Sequence, residues 1–301
     1  MKISPKSLIL DLLSTLRPGR GRSMPVRALV EAGAFFDMAP TSVRVALARL
    51  LAQQRVERDE RGRYRLGVAA HGVNQTIRGW RHLEAQSVAW SGGWVGVHRK
   101  RGESRVDRLS GDRALNFLGL RALDANFFVR PDNRAGGIHS LRGRLAALGL
   151  EASALVFGLA QLDSATEARA SNLWDVSALR RGYGDEIERL SRSRRRLANS
   201  ANPRAMVETF RVGGQAIRQL VLDPLLPEAI SPSEERKALA ACMLDYDAFG
   251  RGCWAEFLAE HGVLHPRTPA DLRGAAGSES LALMPESAAL GNLDLAGAAA
   301  E

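Results

Sequence analysis

The sequence has little cysteine and no long apolar run. Its two cysteines, Cys242 and Cys253, stand 11 positions apart in a chain of 301 residues. With no secretory signal at its start, this usage is typical of buried thiols and not of a disulfide framework or a zinc site. No apolar stretch is long enough to cross a bilayer. We therefore expect a cytoplasmic protein with no membrane partner and no bound metal.

Common catalytic motifs are missing as well. The chain has no GxSxG, no phosphate-binding loop, no paired-cysteine cluster and no HExxH, and its six histidines are scattered. These motifs supply a nucleophile, a phosphate cradle or a set of metal ligands. Their absence favours a protein that is not an enzyme, with no catalytic residue and no cofactor.

What the chain does have is positive charge concentrated near its start. Residues 1–66 hold 13 Lys or Arg against 6 Asp or Glu, residues 67–135 hold 11 against 6, and the remainder holds 18 against 21. A basic segment on a nearly neutral body is the pattern of a nucleic-acid-binding module, because neutralising phosphates supplies most non-specific affinity. The length predicts two or three domains.

Residues 1–68 predict three helices followed by a short hairpin. Ser4-Pro5 caps the first helix, and a second helix is predicted over 26–31, with Gly33 ending it. The third, PTSVRVALARLL from Pro40, buries aliphatic residues at helical spacing. Its opposite face carries slim or donor-bearing side chains, as a helix entering the DNA major groove requires. The predicted contacts on this helix are Thr41, Ser42, Arg44, Val45 and Arg49.

The next segment, RVERDERGRYRLG, predicts a two-stranded ribbon with a cationic tip. Arg58, Arg61 and Arg63 are its expected DNA contacts, joined by Arg20 and Arg22 from the glycine-containing loop that follows the first helix. The alternative is a plain helical bundle whose hairpin arginines face water. Three helices, a basic ribbon and the charge asymmetry together favour a winged helix-turn-helix.

The rest of the chain predicts three further regions and a tail. We expect a helical connector over residues 69–89 and a ferredoxin-like α+β domain over 90–165, with one short strand hidden near 133–138. A helical domain follows over 166–265, and a flexible tail over 266–301. The fold class is therefore α+β and multidomain.

Several segments resemble the PaaX family, the bacterial repressors of phenylacetic acid degradation. They are SLILDLLSTL, TSVRVALARL, WSGGW, LWDVSALRRGY and FRVGGQAIRQLVLDPLLPEAI, in the family's order over roughly residues 4–260. The resemblance implies a winged-helix domain, a ferredoxin-like middle domain, a helical C-terminal domain and a homodimeric repressor. It also implies release of DNA by an acyl-CoA thioester. After LPEAI the sequence departs from the family, running SPSEERKALA.

The leading hypothesis is thus a dimeric repressor of a catabolic operon on a roughly palindromic double-stranded operator. A metal-dependent nuclease using the middle domain is the alternative, with Asp107, Asp112 and Asp124 as its nearby acids. The end of the first strand of that domain carries His98, Arg99 and Lys100, which would repel a metal. A regulator answering to a partner protein is a third possibility.

Overall fold

The structure, a computed structural model, describes residues 3–16, 23–59, 61–100, 104–197 and 203–263. It is α+β, with many helices, a small antiparallel sheet and a helical C-terminal region. The described residues form two compact units. The first holds those up to Arg78, Glu186–Ile217 and those from Ala241 to Val263, and the second holds Gly79–Asp185 and Arg218–Ala240. The predicted domain boundaries stay a prediction.

The first unit begins with the three helices and the hairpin in the expected order. They are α1 (Pro5–Ser14), α2 (Val26–Phe35), α3 (Pro40–Ala52), β1 (Val56–Arg58) and β2 (Tyr64–Leu66), followed by α4 (Val68–Arg78). The cap at Ser4 is confirmed, since its hydroxyl accepts from the Ser7 backbone N–H at 3.1 Å and the Ser7 hydroxyl reciprocates. Helix α2 is four residues longer than predicted, so Gly33 lies inside it.

The hairpin is paired along its length and also to the chain before α2. Its register places Val56 opposite Leu66 and Arg58 opposite Tyr64. Met24 and Tyr64 exchange two backbone hydrogen bonds of 2.8 Å. This third strand-like pairing fixes the hairpin against the entry to α2, because both residues satisfy their backbone groups in it.

One hydrophobic core joins the N-terminal helices to parts of the two last helices, α9 (Pro203–Val221) and α10 (Glu234–Glu260). Apolar side chains from five helices of the first unit meet there: Leu8, Ile9, Leu12 and Leu13 of α1, Leu29 of α2, Val43, Leu47 and Leu50 of α3, Met206 of α9, and Trp254, Phe257 and Leu258 of α10. The indole N–H of Trp254 donates to the Met206 carbonyl at 3.2 Å. Segments 150 or more residues apart in sequence therefore bury each other's apolar surface.

The second unit contains a four-stranded antiparallel sheet with two helices between strands. The elements are β3 (Trp94–His98), α5 (Arg105–Phe117), β4 (Arg121–Asp124), β5 (Phe127–Pro131), α6 (Gly137–Ala147) and β6 (Leu155–Leu159), and the sheet order is β4-β5-β3-β6. The short strand missing from the sequence prediction is β4. Residues 133–138 form a turn and the start of α6 instead, so the expected strand there is wrong.

The side chains of successive residues of β3 point to opposite faces of this sheet. Val95 and Val97 face the core made with α5 and α6, while Trp94 faces the other side and stacks on Trp174 with ring centroids 6.3 Å apart. The period of two explains why WVGVH reads as continuous apolar sequence, since both of its faces are covered.

The C-terminal region is helical, as predicted. After α7 (Ser164–Ser171) come α8 (Val176–Leu197), α9 and α10. Asp175 caps α8, because its carboxylate accepts from the Ala178 N–H at 2.8 Å. None of the helices in the described part of the chain has the length and apolar character needed to cross a membrane.

Candidate nucleic-acid interface

Helix α3 turns one side to the core and leaves the other in solvent. Val43, Leu47 and Leu50 are buried at 0–3% exposure, whereas Val45 is 50% exposed. The spacing of the buried positions, four and then three residues, keeps them on one side of the helix. The other side presents the exposed residues Thr41, Ser42, Arg44, Val45, Ala48 and Arg49. All five contacts predicted for this helix therefore share one solvent-facing surface.

The start of this surface is rich in hydrogen-bond donors. The N-cap residue of α3 is Ala39, which has no side-chain oxygen to bond the first-turn N–H groups. Thr41 and Ser42 add hydroxyls in that same first turn. Neither Arg44 nor Arg49 has an ion-pair partner within the described residues. The amide and hydroxyl donors of the first turn, with the guanidinium of Arg44 one turn on, are suited to an anion, whereas Arg49 lies in the last turn of α3.

Helices α2 and α3 cross at a glycine. A Cβ on Gly33 would lie 2.6 Å from Cγ2 of Val43, which is closer than two carbon atoms pack. The turn between the helices is short and folds back on α2, with the N–H of Met38 donating to the Gly33 carbonyl at 3.0 Å. Asp37 in this turn has a positive φ of 59°. The glycine is thus needed for the close crossing and not, as its sequence position predicted, for ending α2.

Asp59 organises the hairpin turn. Its carboxylate accepts from the backbone N–H groups of Arg61 and Arg63 at 3.0 and 2.8 Å, and from the hydroxyl of Ser23 at 2.5 Å. The Ser23 hydroxyl, with these two N–H groups, lowers the pKa of Asp59. Gly62 completes the turn at a φ of +74°, a conformation that glycine adopts without strain. The tip of the hairpin is therefore held in one shape.

The arginines of the hairpin differ in their exposure and in their partners. Arg58 and Arg61 are exposed, and the Arg58 guanidinium lies over Gly62. Arg65 forms an ion pair with Glu57 directly across the hairpin at 3.0 Å. At the tip, then, Arg58 and Arg61 are the arginines that face solvent.

Arg63 is turned toward the protein and is half-buried, so it differs from Arg58 and Arg61. Its guanidinium donates to the carbonyls of Ser23 at 2.8 Å, Gly262 at 3.1 Å and His261 at 3.4 Å. A cleft of about 500 Å³ lies beside it, lined by Ser23, Pro25, Val26, Arg27, Asp59, Arg61, Gly62, Arg63 and Gly262. Because these carbonyls accept from its Nε and Nη2 groups, Arg63 anchors the hairpin to the end of α10. Arg20 and Arg22, the remaining predicted contacts, lie outside the described residues, as does the predicted tail.

The C-terminal helix α9 adds a contact with the turn that the sequence did not predict. The ring of Phe36, in this turn, packs edge-on against Phe210 with centroids 5.2 Å apart, and the Arg211 guanidinium lies 5.8 Å from the Phe36 ring centroid. The only signal in the sequence is the seven-residue spacing of Arg204 and Arg211 on α9. That spacing places two arginines on one helix face but does not say what lies next to them.

The acids considered for a nuclease already have structural partners. Asp112 pairs with Arg99 at 2.5 Å, and Asp107 accepts from the Ser104 hydroxyl at 2.6 Å where α5 begins. Asp124 accepts from the N–H of Ala125 at 2.7 Å. In the part of the chain that the structure describes, no group of three or more His, Cys, Asp or Glu side chains is placed to hold a metal ion.

The sequence predicts that positive charge at the end of β3 repels a metal, but in the structure the charge of Arg99 is already paired with acids. Arg99 is 4% exposed and its guanidinium donates to both oxygens of Glu151, at 2.5 and 2.9 Å, besides its pair with Asp112. Although burial alone lowers the pKa of Arg99, Glu151 and Asp112 raise it overall. The guanidinium is thus neutralised within the fold and ties β3 to α5 and to the approach to β6.

Comparison with known proteins gives a fold and no function. No family model and no curated protein matches the sequence. A solved structure, uncharacterized protein Rv0674 from Mycobacterium tuberculosis, superimposes with a TM-score of 0.58 at 20% identity, covering 84% of this chain and 98% of that one. At this identity the similarity extends to the fold alone.

Proposed function

We propose that this protein is a DNA-binding transcriptional regulator whose N-terminal region is a winged helix-turn-helix. In this proposal α2 and α3 are the helix-turn-helix, α3 is the recognition helix and the β1–β2 hairpin is the wing. The order of three helices and a hairpin, with the Met24–Tyr64 pairing as a third strand, is the arrangement that such a domain requires.

The observation that carries the proposal is the solvent-facing side of α3. A helix in the major groove needs small side chains near its axis and longer donors at its edges. Val45 and Ala48 are small and exposed, and Arg44 and Arg49 flank them. We assign the two arginines to guanine edges or phosphates and Val45 to a thymine methyl group. Thr41 and Ser42 are assigned to the phosphate backbone at the start of the helix.

The wing contributes charge and not sequence reading. Arg58 and Arg61 are exposed on the hairpin whose tip Asp59 holds rigid. Guanidiniums at such a tip can contact phosphates beside the groove or enter the minor groove. Arg63 is left out of this contact set because its donors are engaged with backbone carbonyls.

The rest of the proposal extends to dimerisation and regulation. The order of the four strands, with a helix in each crossover, supports a ferredoxin-like domain, which we assign to dimerisation. A homodimer would bind a roughly palindromic operator with half-sites a whole number of helical turns apart. The resemblance of segments such as WSGGW and LWDVSALRRGY to the PaaX repressors supports repression of a catabolic operon, relieved by an acyl-CoA thioester.

A two-variant binding experiment tests the assignment of helix and wing. Genome-wide mapping of bound DNA first supplies the operator. In gel-shift titrations, Arg49→Ala is expected to cost about 1–3 kcal/mol on the operator and to relax base preference. Arg61→Ala is expected to weaken all duplexes alike and to flatten the salt dependence. Arg113→Ala, at an exposed position on α5, is the control. Wild-type affinity in both test variants would refute the assignment.

The effector part of the proposal is tested separately. A thermal-shift screen of the full chain with acyl-CoA thioesters is expected to find one that raises the melting temperature, because a ligand stabilises the state it binds. The same compound should release operator DNA. No shift with any thioester would refute the acyl-CoA effector and leave DNA binding to stand on its own test.

A further inference from the structure

The surface beside the α2–α3 turn is extended by helix α9. Phe210 and Arg211 of α9 both touch Phe36, which is only 7% exposed. Two successive side chains of α9 therefore lie against the residue that leads into the turn. Phe36 and Pro40 are four positions apart, so their Cα atoms are separated by at most about 15 Å. Arg211 thus lies beside the residue from which the turn leads, within four residues, to the donor-rich start of α3.

The positive charge of Arg211 is not paired with a carboxylate in the described part of the chain. The side chain is exposed. Its guanidinium lies over an aromatic ring, which restrains its direction while leaving its N–H groups available. A planar group with five donors held in this way is well suited to bind a phosphate.

The same face of α9 carries a second arginine and no competing acid. Arg204 is exposed and lies two turns before Arg211, about 10 Å along the helix axis. The acid between them, Glu208, accepts from the Ser193 hydroxyl at 2.5 Å and pairs with Arg196 of α8. Its charge is therefore neutralised by α8, and the exposed face of α9 between Arg204 and Arg211 is positive.

We propose that Arg204 and Arg211 of α9 form a second phosphate-contacting surface, so that duplex DNA bound on α3 continues past the α2–α3 turn onto α9. This inference rests on the proposed function, since it takes α3 as the recognition helix. The surface reads no bases. It adds two phosphate contacts, and each contact contributes about 0.9 to the slope of log affinity against log salt concentration.

The test measures that slope with non-specific DNA. The full chain is titrated against a fluorescein-labelled duplex of random sequence about three helical turns long, between about 50 and 200 mM salt. Arg211→Met is expected to make the slope shallower by about 0.9, and the Arg204→Met, Arg211→Met double variant by about 1.8. Arg211→Lys should keep the wild-type slope, because it keeps the charge.

Two controls separate charge from structure. Arg113→Met, an exposed arginine on α5, should leave the slope unchanged. Methionine at 211 keeps an apolar stem on Phe36, so the melting temperature of Arg211→Met should equal that of the wild type. A double variant with the wild-type slope would overturn this inference alone. A wild-type chain that binds no duplex would refute the proposed function itself.

Discussion

Replacing Gly33 by alanine should destabilise the protein even though Gly33 lies within a helix. The new methyl group would stand 2.6 Å from Cγ2 of Val43, about 1 Å inside the normal contact distance. Val43 is fully buried, and a β-branched residue in a helix has one strongly preferred rotamer, so it cannot swing aside. Separating the helices or forcing the rotamer costs about 1–3 kcal/mol.

The opposing effect is the better helix propensity of alanine, which is worth about 1 kcal/mol relative to glycine. The expected net change in unfolding free energy is therefore a loss of up to about 2 kcal/mol. Gly214 provides a matched control in the same unit, because it is exposed within α9 and a Cβ there would meet nothing within 4 Å. Gly214→Ala should gain about 0.5–1 kcal/mol.

Urea unfolding followed by far-ultraviolet circular dichroism measures both changes on the full chain. Both substitutions replace a helical glycine by alanine, so without a clash both should raise the urea midpoint. Opposite shifts of the two midpoints are expected only if α2 and α3 approach each other as closely as described. A Gly33→Ala midpoint raised as far as the Gly214→Ala midpoint would refute the reasoning.

Three further outcomes follow from the hydrogen bonds and ion pairs. Arg63→Met should lower the unfolding free energy by about 1–3 kcal/mol, because three backbone carbonyls lose their donor; thermal melting checks this, and an unchanged midpoint contradicts the anchor. The pKa of Asp59 lies below its value in the unfolded chain, so the ionised carboxylate stabilises the fold above pH about 4, and this effect is lost as the pH falls through the folded pKa. Thermal melting of the wild type and of Asp59→Asn between pH about 7 and 3 should show this loss only in the wild type. Glu151→Gln should lower the unfolding free energy by about 2–4 kcal/mol, because it leaves the buried Arg99 guanidinium with only Asp112 as a carboxylate partner. In urea unfolding, the double variant Arg99→Met, Glu151→Met should recover part of that loss.

The elements with a strong period were predictable from the sequence. Helix α3 begins at Pro40 as expected, because a proline at the first turn and aliphatic residues at helical spacing are local signals. The cap at Ser4 and the helical character of residues 166–263 could be predicted from local signals as well. The exposed face of α3 could be predicted since burying Val43 and Leu47 leaves its other side free.

Other features depend on contacts that no local pattern records. Gly33 resembles a helix terminator in the sequence, and only the approach of Val43 explains it. In the sequence, Arg63 looks like an ordinary surface arginine of the hairpin. In the structure, its guanidinium donates to the carbonyls of His261 and Gly262, almost two hundred residues away. Strand β4 is four residues long with an irregular register against β5, so its alternation is too short to distinguish from a loop.

The core shared between the first three helices and α10 has a consequence for how the chain can be divided. If residues 1–78 were produced alone, Phe35 and Phe36, which now pack against Phe257 and Phe210, would lose that cover, and an exposed apolar patch promotes aggregation. A stop codon that removes α10 should for the same reason impair the DNA binding that we propose for α3, although no residue of α3 is lost. The N-terminal helices and α10 therefore have to be expressed together for either to keep its packed core.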